Sequence, residues 1–182
     1  MLHVVKKCKT LAVVTLVLAL AITLMAAGCS KSEESPSPDK NAVVSNVFKV
    51  EKIKVGQKIA GLEVASASVD SLEWSDEPGL AAQFKGEVTL SGTYTHYENS
   101  PLLDHEIVFA VDEASSHKLP RLNIDKRDNL FVFTNHDRAE DELGPGGSSG
   151  RATIVIDNFN IYYVPNSDSL NYAELVQVME KE

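Results

Sequence analysis

The sequence predicts an all-β protein, an antiparallel β-sandwich, over residues 43–182. Three observations carry this. From Val43 onward apolar residues recur with period two, Val, Ile, Thr, Tyr and Phe are abundant, and the runs are punctuated by Gly, Pro, Asn and Asp. Strands are expected near 46–55, 60–70, 83–97, 104–112, 119–125, 129–134 and 151–164. Seven or eight short strands in about 140 residues, with frequent turns, is the pattern of a sandwich of immunoglobulin-like type.

The first two strands flank the turn Val55-Gly56-Gln57-Lys58, which precedes Gly61-Leu62-Glu63-Val64. The next pair forms a hairpin. Phe84, Val88, Leu90 and Tyr94 alternate with Lys85, Glu87, Thr89, Ser91 and Thr93, and Leu103, Ile107, Phe109 and Val111 repeat the pattern on the return strand. A turn centred between Ser100 and Pro101 sets Leu90 opposite Val111, Gly92 opposite Phe109 and Tyr94 opposite Ile107. All apolar side chains then share one face, which is what specifies register. The Phe109 ring covers the side chain that Gly92 lacks.

A second hairpin is expected over 119–134, turning at Asp125-Lys126-Arg127-Asp128-Asn129. Residues 135–150, ending Gly144-Pro145-Gly146-Gly147-Ser148-Ser149-Gly150, read as a mobile glycine-rich loop. For 172–180 two readings compete. Asn171 and Glu174 have capping-box spacing for a helix, whereas Val176 and Val178 suit a closing strand; the strand is the expectation.

Before this domain stands a different kind of sequence. Lys6, Lys7 and Lys9 precede an apolar run from Leu11 to Ala27 whose only polar members are Thr15 and Thr23, and the run ends Leu24-Met25-Ala26-Ala27-Gly28-Cys29. This order of basic, apolar and small residues is that of a secretory signal. Its end resembles the lipobox of bacterial lipoproteins, with Ala26 where Leu is usual. The resemblance implies cleavage after Gly28, diacylglycerol on the Cys29 sulfur, and attachment to the extracytoplasmic face of a cell membrane. Lasting attachment needs more than one acyl chain, which a mature lipoprotein has. The alternative is an uncleaved membrane helix, for which the run lies at the short end of the spanning range; the small-residue site fits only the cleaved form. The chain thus divides into a signal peptide (1–28), a lipidated disordered tether (29–42) and the β domain (43–182). Residues 30–42 are polar and Pro-spaced, without the apolar surface that would offset ordering.

This division changes the cysteine and charge counts. Cys8 falls in the signal peptide and Cys29 is acylated, so disulfides, thiolate metal sites and a cysteine nucleophile are excluded from the mature domain. Three of the 17 basic residues precede Cys29 and all 26 acidic ones follow it, leaving a net charge of −12. Nucleic acid is excluded as a partner on that ground. The Val55–Val64 segment is similar to small immunoglobulin-like domains found on Gram-positive lipoproteins, a likeness that transfers no functional residue.

Five features invite chemistry or binding. Gly146-Gly147-Ser148-Ser149-Gly150 matches the nucleophile-elbow pattern, but an elbow needs a strand before the serine and a helix after it, and here a strand follows. His96 and His105 fall opposite each other in the register above, as two ligands of a zinc ion or as a plain pair at the sheet rim; zinc needs a third ligand. Acidic groups at Asp137, Glu140, Asp141 and Glu142, at Asp157-Asn158-Phe159-Asn160, and at Asn166-Ser167-Asp168 suggest calcium, without the spacing of a helix–loop–helix site. Tyr162 and Tyr163, adjacent on a strand, face opposite ways, so one is available to a partner. Trp74, beside Ser75-Asp76-Glu77-Pro78-Gly79, is either a core plug or a ligand platform. The expected function is a non-enzymatic envelope lipoprotein that binds a protein or glycan. The alternative is a calcium- or zinc-dependent adhesion domain.

Overall fold

The computed structural model describes residues 45–182; Gly28, Cys29 and the segments expected to be a signal peptide and a tether lie outside the described residues. The compact unit spans Val43–Glu182, and its described residues are mostly β. Its strands are β1 (Val47–Phe48), β2 (Lys58–Ile59), β3 (Leu62–Asp70), β4 (Gly79–Lys85), β5 (Val88–His96), β6 (Ile107–Val111), β7 (Arg121–Leu122), β8 (Leu130–Phe133), β9 (Ser149–Tyr163) and β10 (Asn171–Lys181). Two short helices, α1 (Glu113–Ser116) and α2 (His136–Leu143), and a 3-10 turn at Val50–Lys52 complete it. No helix among the described residues is long and apolar enough to cross a membrane.

The all-β expectation holds, but the strands do not form two facing sheets of immunoglobulin type. They close. β5 pairs with β6, β6 with β8, β8 with β10, β10 with β9, and β9 returns to β5, a ring of five strands in which only β8–β10 is parallel. Closing so few strands demands strong coiling, and three register shifts along β9–β10 supply it.

β9 is 15 residues long and outlasts the barrel. Its first half pairs with β5 (Val88↔Ile156 to Thr95↔Ser149) and its second with β4 (Leu80↔Tyr163 to Phe84↔Phe159), so β4 and β5 lie end to end along one edge. The joint is Gly86, at φ +121°, a conformation that a side chain would strain. Its N–H donates to Asp157 Oδ1 at 2.8 Å, and the neighbouring Asn158 bends β9 through a positive φ of 49°. Beyond the joint, β4, β3 and β2 form a sheet extension continuous with the barrel.

One core serves both parts. Rings follow one another from the extension into the barrel: Phe48–Phe84 at 5.9 Å, Phe84–Phe159 at 6.3 Å, Phe159–Phe131 at 6.1 Å and Phe131–Phe109 at 5.5 Å. Leu90, Ile107, Ile154, Ile156 and Leu175 surround them, all fully buried.

Three local expectations are corrected. The β5–β6 hairpin is slipped by two residues: Gly92 faces Val111, Tyr94 faces Phe109 and His96 faces Ile107. A slip of two keeps every side chain on its face, so alternation is blind to it. The loop decides instead. Asp104 Oδ1 accepts from the Asn99 N–H at 2.7 Å, and Tyr97 O accepts from the His105 N–H at 3.1 Å with His105 at φ +62°. The 119–134 hairpin does not form; β7 pairs in parallel with β1. Residues 135–150 are not a structureless loop, because α2 occupies half of them and buries Ala139 and Leu143. The strand reading of the C-terminus is correct: β10 runs along β9 for most of its length.

Candidate functional site

Where β9 leaves the barrel, its outward face joins β3, β4 and β10 in an open groove of about 520 Å³. Strand register builds its floor. Ser68, Ala81 and Tyr162 form one row across β3, β4 and β9, while Ser66, Gln83, Asn160 and Tyr172 form the next across four strands. Side chains of one face repeat every second residue, so the rows stand roughly 7 Å apart. The opposite parity, Ala82, Ile161 and Tyr163, points into the core.

Each groove residue is placed for a physical reason. Adjacent Tyr162 and Tyr163 divide between the faces, with Tyr162 46 % exposed and Tyr163 at 7 %. Tyr172 is 39 % exposed at the start of β10. Thr134, just past the end of β8, holds β10 through its N–H to Ala173 O at 2.9 Å. The Asn160 amide donates to Asn158 O at 2.6 Å, which fixes its orientation. No lining residue is charged, although 24 % of the chain is.

Behind the groove a clamp holds the strand ends. Arg127 meets Asp125 with two bonds, Nε to Oδ1 at 2.8 Å and Nη2 to Oδ2 at 2.7 Å. Its Nη1 donates to Tyr162 O at 3.2 Å and to both oxygens of Ser169, and its guanidinium lies 5.4 Å from the centre of the Tyr163 ring. The Tyr163 hydroxyl donates to Glu77 Oε2 at 2.7 Å. Burial foremost, then the bond to and charge of Glu77, push the phenol up to about 12. The enclosed pocket beside Arg127 holds about 10 Å³, room for about one water.

The other predicted residues are dispersed. His96 and His105 do not face each other: His96 is buried against Ile107, and His105 stands exposed in the turn beside Asp104. His96 is held by a 3.0 Å bond between Nδ1 and Gly144 O. His136 comes between, its ring 5.4 Å from that of His96 and its Nε2 bonded to His105 O. Among the described residues no three His, Cys, Asp or Glu side chains lie close enough to hold a metal ion. Asp137, Glu140, Asp141 and Glu142 lie on α2 rather than in a loop, and Asp157 is engaged at the Gly86 joint. Ser148 leads into β9 from a turn, its backbone carbonyl accepting from the His96 N–H at 2.8 Å, without the helix an elbow requires. Trp74 is 61 % exposed, so it is not a core plug, and it does not line the groove.

Sequence reasoning found Tyr162, named Asn160 only within a calcium stretch, and missed Tyr172 and Gln83. The single strand expected over 83–97 runs across the Gly86 joint, merging the end of β4 with β5 and leaving 79–82 out, so the row across β3, β4 and β9 was hidden. Compared with family profiles, curated proteins and solved structures, the chain matches none.

Proposed function

We propose that the chain is a lipid-anchored extracytoplasmic binding module of the cell envelope, with no catalysis of its own, and that the Tyr162–Tyr172 groove is its binding face. The observation that carries this reading is the groove's uncharged lining on an otherwise acidic chain. Solvated surface tends to keep its charges, whereas surfaces that bind shed them and gain aromatics. The run from Lys6 to Cys29 supports the anchor, and the strand that follows Ser148 speaks against a nucleophile elbow there. Counted from β5, the ring order first, second, third, fifth, fourth and back to first, with α2 between third and fourth, is similar to that of OB-type Greek-key barrels. A fold brings no ligand with it.

Two measurements on the full chain test this. Mass spectrometry of the membrane-extracted protein should find Cys29 as the acylated N-terminus. Purified protein held in detergent should be retained on envelope material from which the lipids have been extracted, and should lose that retention in the Tyr162→Ala/Tyr172→Ala double variant. A Met1 terminus defeats the anchor, and undiminished retention defeats the groove.

A further inference from the structure

Resting on the reading of this groove as the binding face, we infer that its ligand is a neutral, β-linked oligosaccharide of pyranose sugars. The saccharide lies across β3, β4, β9 and β10 with sugar faces against Tyr162 and Tyr172.

Shape comes first. Ser66, Ser68 and Ala81 make a floor of short side chains, so a ligand comes close to the sheet, while Tyr162 and Tyr172 rise from β9 and β10. They are diagonal neighbours, since Tyr172 pairs with Asn160, two residues from Tyr162. A flat ligand can therefore meet both rings. β-Linked pyranoses with equatorial substituents form such a ribbon: the C–H groups lie on the faces and the hydroxyls at the edges. Aromatic rings suit the faces.

Polar groups come second. Beside the rings stand two exposed hydroxyls, Ser66 and Ser68, and two amides, Gln83 and Asn160. An amide donates and accepts at once, and a hydroxyl does the same. That lining matches a row of sugar hydroxyls better than a hydrophobic peptide, which offers few groups to satisfy it.

Charge decides the class. An acid-bearing or phosphate-bearing polymer would approach a domain (43–182) of net charge −11 with no cation in the groove to receive it. A cationic ligand would find no carboxylate there. Only a neutral ligand leaves nothing unpaired.

The experiment is calorimetric titration of the full chain in detergent with β-1,4-linked tetrasaccharides of glucose and of N-acetylglucosamine. Carboxymethylated cellulose and a proline-rich peptide serve as competitors for the assignment. Wild type should bind at least one tetrasaccharide and neither competitor more tightly. Tyr162→Ala and Tyr172→Ala should each weaken binding about tenfold, the upper range for losing one aromatic contact. Ala81→Glu, at a half-buried floor position on the outer face, should abolish binding while leaving the melting temperature near wild type. Failure of both sugars to bind, preference for either competitor, or sugar binding indifferent to Ala81→Glu overturns the inference. If envelope retention depends on the two tyrosines while neither sugar binds, the ligand class is wrong and the groove stands; if retention is also indifferent, both readings fall.

Discussion

At the scale of single residues, the physics is most exposed where one atom has several obligations. Tyr163 is the clearest case, because its hydroxyl is buried, bonded to Glu77, and faced by the negative charges of Glu77 and Asp125. A tyrosine in the unfolded chain loses its proton near pH 10; folded Tyr163 keeps it to about 12. The folded state therefore binds more protons between those values, and stability falls as pH rises through that window. Its contribution is fully present below pH 10. Denaturant unfolding at pH 9 and at pH 11.5 should show a steeper loss for wild type than for Tyr163→Phe, by on the order of 2 kcal/mol; equal losses would show that the phenol is not held protonated. Gly92 makes a different point. A Cβ there would lie 2.7 Å from the Phe109 ring and closer still to the Ala110 carbonyl, which is backbone and cannot swing away. Gly92→Ala should cost about 2–3 kcal/mol, at the upper end for overpacking, read as a lower urea midpoint at unchanged slope.

At the scale of elements, α2 shows how a strand edge is closed without a strand. β10 has β8 beside it only as far as Ala173, and the exposed edge is continued by side chains. Asn135, just before α2, donates its amide to Leu175 O at 2.8 Å and accepts the Leu175 N–H at 2.9 Å, in the manner of a paired strand residue. Arg138 and Lys181 add bonds between α2 and β10. Asn135→Ala should cost about 1–3 kcal/mol, because both groups of a buried residue lose their partners. Leu175 should then show faster amide exchange, measured by NMR; unchanged exchange would mean that the amide is protected otherwise. This element was also where sequence reasoning was weakest, and the reason is physical. Seven of the eight residues of α2 are not strongly apolar, so the helical period rests on Ala139 and Leu143 alone, four residues apart. The strands by contrast were legible because each carries a buried face of alternating large side chains. Gly79-Leu80-Ala81-Ala82 was not, since small residues give little alternation. That left Ala81, the centre of the groove floor between Ser68 and Tyr162, outside the expected strands. Adjacency alone sufficed to show that Tyr162 and Tyr163 part company. Nothing local could show that Tyr172, ten residues further on, returns to stand beside Tyr162.

At the scale of the whole molecule, the arrangement couples a closed part to an open one through a single strand. The ring of β5, β6, β8, β10 and β9 has each strand paired on both sides, whereas the extension ends in the two-residue β2 and leaves most of the outer edge of β3 beyond it. Edge strands have fewer bonds to break before they open. Their unfolding is still opposed by the ring series that runs from Phe48 through Phe84 and Phe159 to Phe131. Native-state hydrogen exchange should therefore divide the domain. Amides of β3 are expected to exchange through a local opening of lower free energy than those of β5 and of the first half of β9, which should need global unfolding. Asp157→Ala releases the Gly86 N–H at the joint and should widen the gap, speeding β3 and β4 more than β5. The groove lies on the extension side of that joint, and a ligand bridging β3 to β10 stabilises the open part by mass action. Saturating ligand should then slow exchange in β3 and β4 more than in β6, because only the former must be closed for the floor to exist. Uniform slowing of all strands would instead mean that barrel and extension open as one body.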